Sequence, residues 1–261
     1  MSQLSWDLHL HAAPSAAPRW GDGLQIWEAA RNAGVRGFVW KSHEEHTAQR
    51  CRALPPGPPT AIGSASLNAW ASVDSVMGAL ALGARWIWGP SRDSEGRLAW
   101  DLALPPWWPE LRSALATLSH AVVLSTSHLD TMGRLEFART AAERPTVRCS
   151  VTHSLYLPAK EATALSELGC AFEFDLYTAV HPVPDRPQDD LLMRAASLRE
   201  SGSFVYFTSD GGQAHLGNPF EFSTRVLSEL AANSGSGLVD ELAVRNPAEL
   251  VGTVLPAEVA R

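Results

Sequence analysis

Histidine and aspartate recur in this chain at the ends of strand-like stretches. Asp7-Leu8-His9-Leu10-His11 stands near the start. Val122 to Thr126 runs into Ser127-His128, Val147 to Thr152 into His153, and Phe204 to Ser209 into Asp210. Between the first and second of these lies Phe38-Val39-Trp40-Lys41-Ser42-His43. Imidazole and carboxylate are the side chains that hold Zn²⁺ or a similar divalent ion. Taken singly, His128, His153 or Asp210 reads more readily as a satisfied polar residue than as a ligand. Taken together, at the C-terminal ends of several strands, they imply one shared site. A metal-dependent enzyme that activates water is the leading expectation.

The elements that must position these residues alternate along the chain. Strands are expected near 5–11, 37–43, 60–67, 85–90, 121–127, 147–152, 171–177 and 204–209, most of them rich in β-branched and aromatic residues and free of internal proline. Helical patterns fall between them. Asp22 suits the N-cap of the first, where Leu24, Trp27 and Ala30 recur at helical spacing and Gly34 ends the run. Further helices are expected over 73–82, 109–118, 135–142, 159–168, 191–198 and 220–232, with a weaker one at 47–54 that Pro55-Pro56-Gly57-Pro58-Pro59 stops. Eight strand–helix units predict an α/β chain: one (β/α)8 TIM-type barrel of parallel strands over residues 1–261. His9 and His11, two apart on a strand, share one face, and alternation with Leu8 and Leu10 turns them toward the barrel mouth. Buried polar groups there need a partner, and a metal supplies one.

Two connections are long, 91–108 and 178–190, and both leave from strand C-terminal ends, the face on which barrel enzymes build their sites. The first holds Arg92, Asp93, Trp100, Trp107 and Trp108; the second holds His181 and three prolines. Trp88, Trp100, Trp107 and Trp108 are placed to wall a pocket, whereas Trp6, Trp27 and Trp40 read as core. Arg19 and Arg92, in loops after the first and fourth strands, can each hold a carboxylate or phosphate or simply be solvated.

A net charge of −7 argues against a nucleic-acid partner. No apolar run approaches the ~20 residues of a membrane span, and no signal-like segment opens the chain. Cys51, Cys149 and Cys170 lie far apart, as expected of buried free thiols in a reducing compartment. The expectation is a cytoplasmic protein acting on a small-molecule substrate, with no membrane; homo-oligomer formation stays open.

These residues resemble the amidohydrolase superfamily of metal-dependent hydrolases, over nearly the whole chain. The resemblance rests on Asp7-Leu8-His9-Leu10-His11, His128, His153 and Ser209-Asp210, with Arg245-Asn246-Pro247-Ala248-Glu249-Leu250-Val251-Gly252 similar to a segment that follows the last strand. Lys41-Ser42-His43 and Ser209-Asp210-Gly211-Gly212-Gln213 look most like a compact branch of it. The resemblance implies a distorted (β/α)8 barrel holding one or two divalent ions, zinc foremost, manganese or iron as alternatives. His9 and His11 would bind the more buried ion. His128 and His153 would bind a second ion or contact substrate. Asp210 would bind metal and act as general base, with His128 next in line.

The fourth strand departs from that pattern, ending Ile87-Trp88-Gly89-Pro90 with no ligand where many relatives place a bridging lysine carbamate or glutamate. Lys41 is the stand-in, and three readings stay open: a carbamate ligand, an ammonium acting on substrate or on bound water, and a structural lysine paired with Glu44. His43 shares its strand face and is a substrate contact; His46 reads as loop surface. The expected reaction is hydrolysis of an amide, lactam, ester or lactone. The alternatives are a decarboxylase or isomerase, a phosphoesterase, and an inactive barrel that binds a small molecule or a protein.

Overall fold

The computed structural model of the chain describes residues 3–183, 190–234 and 236–256. Its strands fall where the β-branched and aromatic stretches predict them. β1 is Trp6–His11, β2 is Gly37–Lys41, and β3 is Thr60–Ile62 continued after Gly63 by Ser64–Ser66. β4 is Trp86–Trp88, β5 is Val122–Ser125, β6 is Val147–Val151, β7 is Ala171–Asp175 and β8 is Phe204–Thr208. Each strand runs parallel to the next, helices fill the crossovers, and the result is the expected (β/α)8 barrel.

The barrel is distorted at two places. β3 pairs with β2 through its first half and with β4 through its second. At the break, a Cβ on Gly63 would meet Ala48 Cα at 2.5 Å, so only glycine admits the helix Ala48–Ala53 this close. The second place is the seam between β8 and β1. Among the described residues one isolated bridge, Leu10 to Gly211, joins them, with His11 N donating to Gly211 O at 3.0 Å. Side chains complete it. Asp7 Oδ1 accepts from Thr208 Oγ1 (2.7 Å) and Ser209 N (3.0 Å), and Asp7 Oδ2 accepts from Ser209 Oγ (2.5 Å).

β1 does not keep strict alternation. Its register against β2 slips between Asp7 and Leu10. Leu8 therefore joins Trp6, Val39, Trp86, Trp88 and Tyr206 in the barrel interior, while Leu10 packs outward against Ile26, Phe38 and Phe220. A bulge of this kind re-aims side chains at a barrel rim. The expected alternation of Leu8 and Leu10 with the histidines is broken accordingly, although His9 and His11 both line the cavity at the mouth.

The helix Gly23–Ala33 starts as the sequence predicts: Asp22 accepts from Gln25 N, the Gln25 side chain returns to the Asp22 backbone, and Gly34 at φ 76° closes it. Its buried Trp27 packs with Trp40. Two features escape the sequence pattern. Leu176–Val180 forms a helix of five residues directly after β7, too short to show periodicity. Glu241–Arg245 is a π-type turn leading into the helix Asn246–Gly252. Leu250 and Val251 of that helix plug the interior cluster from below, and Asn246 Nδ2 donates to Val205 O at 2.7 Å. The long connection after β7 holds His181 and Pro182, but 184–189, with Pro184 and Pro187, lie outside the described residues. No described helix is long and apolar enough to cross a membrane.

Candidate metal centre

His9 Nε2 and His11 Nε2 each lie 3.2 Å from Asp210 Oδ1, and all three side chains are buried. Two ligand atoms at the ~2.0–2.1 Å bond length of zinc stand about 3.3 Å apart in a tetrahedron, so these separations fit one ion. His9 Nε2 has no hydrogen-bond partner. His9 Nδ1 is 2.7 Å from Glu173 Oε1, and Glu173 Oε2 accepts from Tyr206 Oη at 3.1 Å. A ligating imidazole keeps its proton on the other nitrogen, here donated to Glu173. Nε2 then presents a lone pair to a carboxylate oxygen. That contact is repulsive as it stands and attractive with a cation between the two. The donor set therefore fits a divalent ion.

A second group adjoins it: candidate ligand atoms of His153, Asp175 and Asp210 lie within 4.8 Å of one another. His153 Nδ1 is 2.8 Å from Asp175 Oδ2, and Asp175 Oδ1 accepts from Thr178 N at 2.8 Å, so Asp175 caps the short helix and orients the imidazole at once. His128 stands apart from both groups. Its Nδ1 donates to Ala99 O at 2.7 Å, and its ring stacks on Trp100 at 4.1 Å and meets His153 edge-on at 5.2 Å. The structure thus places His128 beside the site but not with the ligand atoms.

Three residues here share a backbone device. Ser127 (φ 51°), His153 (φ 56°) and Asp210 (φ 46°) each stand two positions past the end of β5, β6 or β8, in the left-handed region. Non-glycine residues avoid that region at a cost of about 1–2 kcal/mol, and it recurs where function demands it. It turns the side chain from the strand direction toward the barrel axis.

Burial sets the charge states. It holds His9, His11, His43 and His128 well below the usual imidazole range, so they are neutral and able to ligate. It pushes Asp210 up to about 7, with Asp175 adding to the rise, and it raises Glu173 as well. A divalent ion reverses that tendency, because its charge favours the ionised carboxylates.

Lys41 is buried at the end of β2. Its Nζ donates to Ser127 Oγ at 3.2 Å and sits 4.7 Å above the Trp88 ring. Burial lowers it to about 8, against the pull of Asp210, Glu173 and Asp175. The pairing with Glu44 is not formed, since Glu44 Oε1 accepts from Arg92 at 2.8 Å. His43 stacks on His11 at 4.8 Å and shares a 2.7 Å hydrogen bond with Ser91 Oγ. His46 is tied to Ser66 and Ser75 instead.

A cavity of about 580 Å³ opens onto this cluster. His9, His11, Lys41, His43, His128, His153 and Asp210 line it, as do Arg19, Arg92, Trp100, Tyr177 and Gln213. Trp88 and Trp107 do not. Trp88 lies under His9 within the barrel interior, at 4.7 Å between rings, and Trp107 packs against the outer core. Both are corrected as pocket walls, because the strand turns Trp88 inward and the start of the next helix carries Trp107 away. Glu173 and Asp175 were missed by sequence reasoning. The alternation Phe172-Glu173-Phe174-Asp175 carried the signal, two carboxylates on one face of an otherwise apolar strand.

A model of a family of unknown function, DUF6282, matches residues 5–102. No curated protein matches the chain. Among solved structures, the chain is similar to an Aspergillus niger ochratoxinase at 13% identity and TM-score 0.59, over 96% of this chain and 71% of that one. It is similar to an Arabidopsis N6-mAMP deaminase at 12% and 0.59, over 99% and 96%. A putative prolidase from Bifidobacterium longum gives 12% and 0.53, over 97% and 70%. At such identities the likeness establishes the fold that carries the site.

Proposed function

We propose that this protein is a metal-dependent hydrolase of the amidohydrolase type, cleaving an amide, lactam, ester or lactone bond in a small molecule. The convergence of His9 Nε2, His11 Nε2 and Asp210 Oδ1, with His9 Nε2 otherwise unpartnered, carries the reading. The resemblance in the strand-end residues supports it, as do the enzyme names of the structural neighbours. His9, His11 and Asp210 would hold the ion, with His153 completing the set or serving a second ion.

A divalent ion bound there supplies Lewis acidity and lowers the pKa of water. Asp210 accepts the proton of the attacking water and returns it to the leaving group. Glu173 and Asp175 fix the tautomers of His9 and His153. Lys41 acts as an ammonium donor to the oxygen that gains charge. The carbamate reading is the weaker one, because it would set another anion among Asp210, Glu173 and Asp175. His128 offers Nε2 as an acceptor to substrate, since its Nδ1 hydrogen is held by Ala99 O.

Elemental analysis of protein never exposed to chelator tests this, together with a panel of amides and lactones followed by product mass. We expect about one equivalent of a transition metal or more; less than about 0.3 equivalents, with no activity gained on adding metal, would sink the reading. Asp210→Asn should lower kcat by about 10²-fold to 10⁴-fold or more. A near-normal kcat would move the base role elsewhere.

A further inference from the structure

Arg19 lines the cavity half-buried, and its side chain makes no hydrogen bond or ion pair among the described residues. Its buried Nε has no acceptor. The carboxylates nearest it in the electrostatic sense, Asp210 and Glu44, are engaged: Asp210 Oδ1 faces His9 and His11, and Glu44 Oε1 accepts from Arg92. A buried guanidinium nitrogen without an acceptor is costly, and the planar fork of the group matches an oxyanion.

The placement of Arg19 is fixed by backbone. It pairs antiparallel with Gln213, Trp20 N donates to Gly212 O at 2.9 Å, and Ala214 N donates to Pro18 O at 3.2 Å. Gln213 Nε2 in turn donates to Asp210 O at 2.7 Å. Arg19 is thus stapled to the loop that presents Asp210. A second guanidinium, Arg92, lines the same cavity with its own buried Nε unpartnered. Leu98, Trp100 and Val183 give the cavity an apolar wall.

We propose that Arg19 is the anion anchor of this cavity, and that the substrate carries an oxyanion, a carboxylate or a phosphate, on an apolar body that packs against Leu98 and Trp100. The assignment of that molecule as substrate rests on the hydrolase reading; its binding by Arg19 does not.

The probes are benzoate, phenyl phosphate and the neutral control benzamide, titrated calorimetrically into wild type, Arg19→Ala and Arg19→Lys, with metal content measured on each. We expect wild type to bind benzoate or phenyl phosphate at least about tenfold more tightly than benzamide. Arg19→Ala should lose about tenfold or more of that affinity at unchanged metal content, and Arg19→Lys, which keeps the charge but not the fork, should fall between. The tighter of the two anions names the oxyanion. Equal anion binding by wild type and Arg19→Ala would place the anion on the metal and overturn the proposal. Equal binding of benzoate, phenyl phosphate and benzamide by wild type, or none of any, would overturn it without recourse to a variant. If the protein holds no metal and hydrolyses nothing, yet its anion binding depends on Arg19, the hydrolase reading fails and the anchor stands. If metal and hydrolysis are as expected and anion binding ignores Arg19, the reverse holds.

Discussion

Asp210 carries the sharpest consequence at the scale of single residues. In the folded protein burial and Asp175 hold its carboxyl near 7, against the usual 3.8. The folded state therefore binds this proton more tightly than the unfolded state does. Stability from this group is lost as pH rises from about 4 to about 7, and the penalty is complete above 7. Asn tolerates the left-handed φ of 46° that Asp210 adopts, so Asp210→Asn removes the charge and spares the backbone. In chelator-treated protein, Asp210→Asn should melt higher than wild type at pH 8, with the difference vanishing near pH 4. In metal-loaded protein the order should invert, because the variant lacks a ligand. A melting difference independent of pH would show that the carboxylate charge is not its source. His9 and His11 were legible in the sequence as a spaced pair on one strand, and His153 and Asp210 because each follows a strand. Glu173 and Asp175 were not, because they act through other side chains: Glu173 meets His9 across 164 positions of sequence and Asp175 meets His153 across 22.

Elements explain why those residues converge. The strand positions were legible from β-branched and aromatic runs, and the first helix from Asp22, the spacing of Leu24, Trp27 and Ala30, and Gly34. The β1 bulge was not, since it depends on how β1 must register with β2 while Asp7 is held by Thr208 and Ser209. The loop 209–213 was legible as a motif, but not its contact with β1. Gly212 has φ 95°, and a Cβ there would lie 1.9 Å from His11 O. Gly169 also has positive φ (75°), but nothing lies within 4 Å of its Cβ position. The pair separates backbone strain from collision. Gly169→Ala should cost about 1–2 kcal/mol. Gly212→Ala should cost about 2–5 kcal/mol, since it must also move the His11 backbone. Urea denaturation measures both, and metal content should fall in Gly212→Ala alone. Similar costs and intact metal binding in the two variants would show that the loop yields without disturbing His11.

The whole molecule has its weakest closure where the candidate metal ligands sit. Between the strands from β2 to β8, backbone ladders run from neighbour to neighbour, apart from the break at Gly63. Between β8 and β1, one bridge and the Asp7 cluster carry the closure. His9 and His11 stand on β1 and Asp210 follows β8, so an ion held by them ties the two edges together across that seam. Ligand binding to the folded state alone adds about 2.7 kcal/mol at 100 times Kd. Here that energy should be concentrated locally, because local opening draws on the least bonded part of a fold. Hydrogen exchange measured with and without chelator tests this. Removing the ion should speed exchange in residues 6–11 and 204–213, and leave β5 and β6, with their continuous ladder, almost unchanged. A uniform rise over all strands would mean that the ion stabilises the fold globally. No change at the seam would mean that Asp7, Thr208 and Ser209 suffice to close the barrel, and that the ion serves chemistry alone.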